Sequence, residues 1–200
     1  MPRRLFPLAL ALLMAFPRPA MALDASVWLE LGKVQSLQAD FIQVQTRTIL
    51  KRPLESSGAV RFDRPGTLTW AVLTPARSTF SMGGGKATME LPDHRAHRVV
   101  DLATLPEFKR LAASVMVWLQ ADPVAVARDF TTTYAPSPPT IVLIPVDPTL
   151  GRLVKTIELG IAESPFRVAH VRIVEPTGDT VEIRFSKVVL DGVPVPDPAP

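Results

Sequence analysis

Hydrophobic and polar positions alternate along the stretch from Glu55 to Asp93, which divides into several short runs. The runs end at 63–66, at Pro75, at 83–85 and at 92–93, where Gly, Pro and Asp are concentrated. Alternation with a period of two between such turns predicts an antiparallel meander with one apolar face. The large side chains of that face are Phe62, Leu68, Trp70, Phe80, Met82 and Met89.

The residues before the meander predict a helix and then a strand. An apolar stripe predicts a helix from Asp24 to Leu37, with Asp24 as its N-cap and Gly32 as a weak point. From 39 to 50 the pattern is that of a strand, with Phe41 and Gln43 on one of its two faces.

The middle of the chain predicts helices. Residues 94–100 are expected to be a loop that ends in a short strand. A capping box with proline in its first turn, at 104–107, begins a helix that runs to about Gln120. A second, short helix follows at about 123–128.

The last third of the chain returns to strands, which are separated by turns that contain proline. They are predicted at 130–135, 140–146, 153–161, 166–175 and 180–190. The proline-rich residues 193–200 are expected to be a disordered tail. About nine to eleven strands with few helices indicate an α+β fold, in which a curved antiparallel sheet carries helices on its concave apolar face.

The N-terminus has the features of a cleaved secretory leader. Arg3 and Arg4 precede an apolar run from Leu5 to Phe16, and Ala20-Met21-Ala22 is a small-residue cleavage site. We therefore expect residues 1–22 to be a signal peptide that is cut after Ala22. Residues 23–192 are expected to form one exported, periplasmic domain.

Removal of the leader changes the charge balance. The chain has 22 Lys and Arg against 19 Asp and Glu, and the leader holds three arginines and no acid, which leaves 19 against 19. A neutral mature chain gives no reason to expect nucleic acid or an anionic membrane surface as a partner. There is no cysteine, which excludes disulfides, thiolate chemistry and a lipid-bearing cysteine.

Motifs for catalysis, metals or cofactors are weak. His94 and His97 have no further His or Cys nearby to complete a metal site, so a surface loop is favoured, and His170 lies in an alternating strand. Ser81 next to the glycines fits a hairpin better than a nucleophile elbow. The segment 83–86 lacks the Ser/Thr and the helix of a phosphate-binding loop. We expect no enzyme activity, no cofactor and no metal.

Two groups of residues, taken in order along the chain, match a known family pattern. The first comprises Ala39-Asp40-Phe41-Ile42-Gln43, Gly58, Val60, Phe62, Arg64-Pro65-Gly66-Thr67-Leu68-Thr69-Trp70 and Pro75. The second comprises 168–175 and 180–189, with Phe185-Ser186-Lys187-Val188 in its last strand. With these motifs and its leader, the chain resembles the LolA-type periplasmic carriers of outer-membrane lipoproteins, in particular their LolA-like branch.

The resemblance implies an incomplete antiparallel barrel, a half β-barrel, whose concave apolar face is closed by helices. It implies a monomeric periplasmic carrier and chaperone that shields the acyl chains of lipoproteins or related lipids and takes them from the inner to the outer membrane. The implied partners are acylated lipoproteins or other lipids, an inner-membrane lipoprotein-releasing transporter and an outer-membrane receptor.

The resemblance also assigns residues. Arg64 precedes Pro65-Gly66, which by itself predicts a solvated residue of a type II turn, but by resemblance Arg64 is a latch that holds the helical lid on the sheet. The expected lipid-binding residues are Phe41, Val60, Phe62, Leu68, Trp70, Phe80, Met82, Met89, Leu111 and Val115.

The chain also departs from the family pattern. We expect it to lack the C-terminal extension of the best-known carriers, and Gly83-Gly84-Gly85 replaces their usual Asp-Gly turn. LolA-like relatives are also associated with the export of other lipids. Two alternatives therefore stay open: a carrier of another lipid in a polyene or glycolipid export cluster, and a non-catalytic periplasmic sensor that binds lipid or protein.

Overall fold

One antiparallel sheet accounts for most of the structure, a computed structural model that describes residues 25–90, 97–100, 117 and 119–197. The strands are β1 (Ser36–Thr46), β2 (Leu54–Asp63), β3 (Thr67–Thr74), β4 (Ser78–Gly83), β5 (Lys86–Glu90), β6 (His97–Val100), β7 (Phe130–Pro136), β8 (Pro139–Pro145), β9 (Thr156–Glu163), β10 (Phe166–Val174), β11 (Thr180–Leu190) and β12 (Val193–Pro194). The described helices are α1 (Ala25–Gly32), α2 (Pro123–Asp129) and α3 (Pro148–Gly151), and residues 117, 119 and 120 are helical as well.

The sheet joins two halves of the chain at β1 and β11. Its strand order is β6-β5-β4-β3-β2-β1-β11-β10-β9-β8-β7, and β12 is added on β11. The sheet does not close on itself, so the expected α+β open half-barrel is confirmed. We call the end with the β2–β3 and β9–β10 connections the lower end, and the end with the β1–β2, β3–β4, β8–β9 and β10–β11 connections the upper end.

Most strands begin and end close to where the alternation predicts them, but the first helix is shorter than predicted. It ends at Gly32, and β1 already begins at Ser36. The main-chain N–H groups of Gln35 and Ser36 donate to Oδ1 of Asp191, at 2.8 and 2.7 Å. The prediction of a helix to Leu37 is therefore wrong, because these residues are recruited into the sheet by partners at the other end of the chain.

The register places the largest apolar residues on one face. On β1 that face carries Phe41, which is 1% exposed, whereas Ile42 on the opposite face is 50% exposed. In the second half, Ile141 pairs with Leu159, and both are fully buried. The end of the sheet around β7 to β9 is thus solidly packed, while the part around β1 to β4 keeps open space.

Two turns that follow predicted breakpoints have different geometries. Gly84 and Gly85 have φ values of +57° and +77°, which allow a tight hairpin between β4 and β5, as predicted for the triple glycine. At the β2–β3 turn, Gly66 N–H donates to Asp63 O at 3.1 Å and the Arg64–Pro65 peptide is cis. The hydrogen bond closes the turn over residues 63–66, which places proline at the third position instead of the second, so the type II prediction is wrong.

The C-terminal segment joins the sheet at 193–194 and stays hydrogen-bonded to β11 as far as residue 197. β12 pairs with the last residues of β11, and Val195 N–H donates to Val188 O at 2.9 Å. Asp197 Oδ1 accepts a hydrogen bond of 2.9 Å from the main chain of Lys187. The prediction of a disordered tail is therefore wrong for residues 193–197, and 198–200 lie outside the described residues.

Several further expectations fall outside the described residues. These are the signal peptide at 1–22, the His94 loop, and most of the helix expected at 104–120, with Leu111 and Val115 on it. Among the helices that the structure describes, none has the length and apolar character needed to cross a membrane.

Candidate functional site: an apolar cavity bordered by Arg64

A cavity of about 280 Å³ lies on the inner face of the sheet, where the two halves meet. One wall comes from the meander, with Val60, Phe62, Leu68, Trp70 and Phe80. Val60, Trp70 and Phe80 stand in one cross-strand row, because Val60 pairs with Trp70 and Trp70 with Phe80. Side chains that are directly opposite on antiparallel strands share a face, so this row forms a continuous apolar surface.

The other wall comes from the C-terminal strands. It is formed by Val168, Val171, Ile173, Ile183 and Phe185 of β10 and β11. At the lower end the cavity is bounded by Leu31, Val34, Leu37, Leu119 and Leu190. Sequence reasoning did not assign these residues to the site, although Val181, Ile183 and Phe185 have the spacing of two that marks one strand face.

Aromatic rings build the middle of the cavity floor. Trp70 stacks on Phe41, with ring centroids 4.0 Å apart and planes at 28°, and contacts Phe185 edge to face at 6.4 Å. Both are favourable aromatic arrangements. Phe41 can lie beneath Trp70 because Gly58 stands opposite it on β2. A Cβ atom at Gly58 would come within 2.9 Å of the Phe41 ring.

The structure therefore brings together half of the expected lipid-binding set. Val60, Phe62, Leu68, Trp70 and Phe80 line the cavity. Phe41 and Met82 are buried on the same face without reaching the cavity, and Met89 pairs with Phe80 but is not on the wall either. Alternation identifies a face of the sheet, but it does not distinguish residues that pack against one another from residues that border open space.

Arg64 lies where the sheet meets the helix ends. Its guanidinium donates to main-chain oxygens of α1, of the link after α1 and of the helical residues 119–120. Nη2 donates to Leu31 O and Leu119 O at 3.4 Å each, Nε to Val34 O at 2.6 Å and Nη1 to Gln120 O at 2.5 Å. In return, the Gln120 side-chain amide donates to Pro65 O at 2.9 Å. The last carbonyls of a helix lack partners within the helix, so a cation with several N–H groups suits this position.

The guanidinium group of Arg64 lies in a partly apolar environment. Its guanidinium carbon lies 5.7 Å from the ring centroid of Phe62, within the range of a cation–π contact. Burial lowers the pKa of Arg64, and the nearby Asp191 carboxylate partly offsets that effect. Arg64 is therefore a half-buried residue of the cavity wall and not the solvated turn residue that the local sequence predicts.

Arg167 is a second arginine on the cavity wall, and it is 2% exposed. Nη1 donates to Pro165 O at 3.0 Å and Nη2 to Pro196 O at 2.6 Å, whereas Nε has no acceptor among the described residues. Burial lowers the pKa of its guanidinium, and Asp197 partly offsets this. Arg167 thereby links the lower end of β10 to the C-terminal segment.

The C-terminal segment fills a gap in the sheet beside the cavity. β10 pairs with β11 only from His170 onward, and β12 occupies the position next to the last residues of β11. The two strands therefore separate at the lower end, where the Arg167–Pro196 hydrogen bond connects them through the segment. Nothing in the sequence pattern indicated this role for Arg167 or for residues 193–197.

The weaker chemical candidates lie elsewhere. Ser81 pairs with Thr69 and Thr88 within the meander, and His170 stands against Gly160 on the neighbouring strand. Across the residues that the structure describes, no group of three or more His, Cys, Asp or Glu is placed to hold a metal ion.

An open half-barrel whose inner face holds an apolar cavity, bordered at one end by helical residues, defines a class of proteins that can enclose apolar ligands. Residues 32–197 match the family described as outer membrane lipoprotein carrier protein LolA, and the chain belongs to this family. No curated protein sequence matches the chain.

Solved structures with a similar fold share little sequence with the chain. A DUF1329 family protein from Desulfovibrio piger aligns with a TM-score of 0.50 at 9% identity, over 84% of this chain and 91% of that one. A LolA superfamily protein from Nitrosomonas europaea aligns with a TM-score of 0.42 at 10% identity, over 82% and 92%. MucB in the Pseudomonas aeruginosa MucA/MucB complex aligns with a TM-score of 0.49 at 17% identity, over 86% and 59%.

Proposed function

We propose that this protein is a non-catalytic periplasmic carrier that shields acyl chains of lipoproteins or related lipids and delivers them from the inner to the outer membrane. The observation that carries the proposal is the cavity of about 280 Å³, whose walls are almost entirely apolar and whose lower end is covered by helix ends. Membership of the LolA family supports the same role.

The size of the cavity fits a carrier whose cover moves. Pockets for small ligands are typically about 300–1,000 Å³, so the cavity of about 280 Å³ is slightly smaller than that range. A long acyl chain, or several chains, would need the helices to move away from the sheet. The hydrogen bonds from Arg64 to Val34 O, just after α1, and to Gln120 O are polar contacts that such a movement would break.

The free energy of acyl-chain burial also favours a carrier in which a closed cover competes with cargo for the cavity. Burial of an acyl chain gains about 0.8 kcal/mol per CH₂, so a chain of ten carbons gains roughly 8 kcal/mol before the opposing terms. A carrier that kept this whole gain would not release its cargo. Closure of the cover over the empty cavity offers an alternative state that favours release, and Arg64 stabilises that closed state.

Transfer implies a donor and an acceptor. We propose an inner-membrane lipoprotein-releasing transporter as the donor and an outer-membrane receptor as the acceptor, with residues 1–22 as the leader that directs export. A related lipid of an export cluster would use the same cavity with another donor. Competition for the cavity between lipoprotein acyl groups and other lipids would show which of the two cargo classes binds more tightly.

Binding of a fluorescent acyl probe tests the proposal. Wild-type protein should bind the probe with a blue shift of its emission, and Trp70→Asp or Phe80→Asp should weaken binding at least tenfold because a carboxylate enters an apolar wall. Thr69→Asp is the matched control, since Thr69 is adjacent in sequence but points to the opposite face of β3. Equal binding by wild type and both cavity variants, with folding verified by circular dichroism, would refute the proposal.

A further inference from the structure

The hairpin between β1 and β2 carries apolar side chains in water at the upper end of the sheet. Ile49 is 91% exposed, and Leu50 and Leu54 are 40% and 54% exposed. We call residues 49–54 the hairpin tip. Scattered exposed apolar residues are ordinary, but an almost fully exposed isoleucine next to two leucines on one protruding turn is a small apolar patch of the kind that marks an interaction site.

The tip is held in place by hydrogen bonds at its base. Arg47 Nη1 donates to Glu175 Oε1 and lies 3.5 Å from Asp179 Oδ2. Thr48 donates twice to Asp179 Oδ1, from its main-chain N–H at 2.7 Å and from its hydroxyl at 2.6 Å. The turn is closed by Leu50 N–H to Arg47 O at 2.9 Å. These contacts fix the base of the tip to the β10–β11 turn, so Ile49 and Leu50 project without folding back onto the sheet.

The tip is also locally basic. Lys51 and Arg52 follow the two apolar residues directly, both are exposed, and neither forms an ion pair with a described residue. The charge of Arg47 is already matched by Glu175 and Asp179. The two adjacent cations make the turn itself positive, although the exposed acid Glu55 follows three residues later at the start of β2.

Other exposed apolar and basic residues stand at the same end. Neighbouring strands are antiparallel, so the β3–β4 and β8–β9 connections lie at the same end as the tip. Leu73 and Val146 flank them and are 52% and 55% exposed, and Arg77 and Arg152 are exposed as well. Arg64 and its helix contacts are at the lower end, so a surface that covers the tip leaves the arginine contacts free.

We propose that the hairpin tip docks the protein on the surface of an anionic phospholipid bilayer. Ile49 and Leu50 would enter the boundary between headgroups and acyl chains, while Lys51 and Arg52 contact the anionic headgroups. Apolar side chains at a projecting point, followed directly by basic ones, match the interfacial zone of a bilayer. A protein interface is instead typically a broader patch, in which an apolar core is surrounded by a polar rim.

Co-sedimentation with vesicles tests this surface. Wild-type protein should sediment with vesicles that contain phosphatidylglycerol, less with pure phosphatidylcholine, and less as salt increases. The double substitution Ile49→Ser and Leu50→Ser should weaken partitioning at least tenfold. The substitutions Lys51→Glu and Arg52→Glu should weaken it on the anionic vesicles by about fivefold or more for each residue.

A matched control separates the tip from general hydrophobicity. Val124 on α2 is 78% exposed, so Val124→Ser removes a similar apolar surface elsewhere and should leave partitioning unchanged. Thermal unfolding verifies that each variant is folded. Wild-type protein that fails to sediment with anionic vesicles, or Ile49→Ser/Leu50→Ser protein that sediments like wild type, overturns the proposal. A surface that binds only a protein would give the first of these results.

The docking proposal and the acyl-cavity proposal can be refuted independently. Trp70→Asp should lose the acyl probe and keep vesicle binding, whereas the tip variants should lose vesicle binding and keep the probe. Vesicle binding that disappears with Trp70→Asp would show that the cavity, and not the tip, contacts the bilayer, and would overturn the docking proposal.

Discussion

Arg64 Nε donates a hydrogen bond to the main-chain oxygen of Val34 at 2.6 Å. Val34 belongs to the link between α1 and β1, so this bond connects that link to the β2–β3 turn. The same guanidinium reaches Gln120 O, at the end of the second helical stretch. One side chain thus binds main-chain oxygens in the link after α1 and at the helical residue Gln120, which explains why an arginine, with its five N–H donors, suits this position.

We expect Arg64→Leu to fold but to hold the helix ends less firmly. Loss of several hydrogen bonds from a charged donor should lower the free energy of unfolding by about 1–3 kcal/mol. Hydrogen exchange should become faster at Lys33 to Gln35 and at 119–120. If closure favours release, the variant should also release an acyl probe more slowly than wild type.

Arg61→Leu is the control for that substitution. Arg61 is exposed, pairs with Asp63 at 2.7 Å and forms no hydrogen bond or ion pair with the helical residues that the structure describes. The substitution Arg61→Leu should leave probe release and hydrogen exchange at the helix ends unchanged. Probe release by Arg64→Leu at the wild-type rate, from folded protein, would count against the latch role.

Glycine is required at position 58 because the main chain of β3 and the ring of Phe41 occupy the place of a side chain there. A Cβ atom at this position would lie 1.9 Å from Ala71 O and 2.9 Å from the Phe41 ring. Gly58→Ala should therefore lower the free energy of unfolding by about 1–3 kcal/mol and disturb the stacking of Phe41 on Trp70, which near-ultraviolet circular dichroism detects.

Gly151→Ala provides the contrast. Nothing lies within 4 Å of a Cβ atom at Gly151, which is the last residue of α3. This substitution should leave the melting temperature unchanged or raise it slightly. Equal destabilisation by both substitutions would contradict the steric explanation for Gly58.

Strands were more predictable than helices, for a physical reason. β10 and β11 were predicted at 166–175 and 180–190 and are found at Phe166–Val174 and Thr180–Leu190, because alternation and turn residues are local signals. The end of α1 was missed because the groups that bind Gln35 and Ser36 are on Asp191, more than 150 residues away in sequence. A long-range contact of this kind leaves no local pattern.

The site was only half predictable. Alternation found the apolar face of the meander, and Val60, Phe62 and Trp70 do line the cavity. The contribution of β10 and β11 depends on which strand pairs with β1, and the β1–β11 pairing was not fixed by the sequence pattern. For Arg64, the local sequence indicated a turn, and only the family resemblance indicated contacts with helices.

Arg167 is expected to hold the C-terminal segment in the gap between β10 and β11. Arg167→Leu removes the hydrogen bonds to Pro165 O and Pro196 O and should make residues 193–197 accessible to exchange and proteolysis. Arg184→Leu, an exposed arginine on β11, should have no such effect. If residues 193–197 are protected equally in Arg167→Leu and in wild type, the pairing of β12 with β11 alone holds the segment.

Asp179 should make stability depend on pH in the acid range. Hydrogen bonds from the Thr48 hydroxyl and main chain, and then the Arg47 guanidinium, lower the pKa of this carboxyl group below its ordinary value. A carboxyl group with a lowered pKa in the folded state stabilises the fold above its unfolded pKa, about 3.9, and this contribution disappears as pH falls through the folded pKa.

Asp179→Asn should therefore be less stable than wild type by a constant amount at pH 5–7, and the difference should shrink as pH falls below about 4. Urea unfolding at pH 7, 5, 3.5 and 2.5 measures this difference, and Glu163→Gln, which removes an exposed carboxylate at the β9–β10 turn, should match wild type at pH 7. The same Asp179 carboxylate holds Thr48 at the base of the hairpin tip, so Asp179→Asn should also speed hydrogen exchange at Thr48 at neutral pH. A stability difference that persists unchanged at pH 2.5 would mean that packing, and not the charge of Asp179, holds the β1–β2 hairpin to the β10–β11 turn.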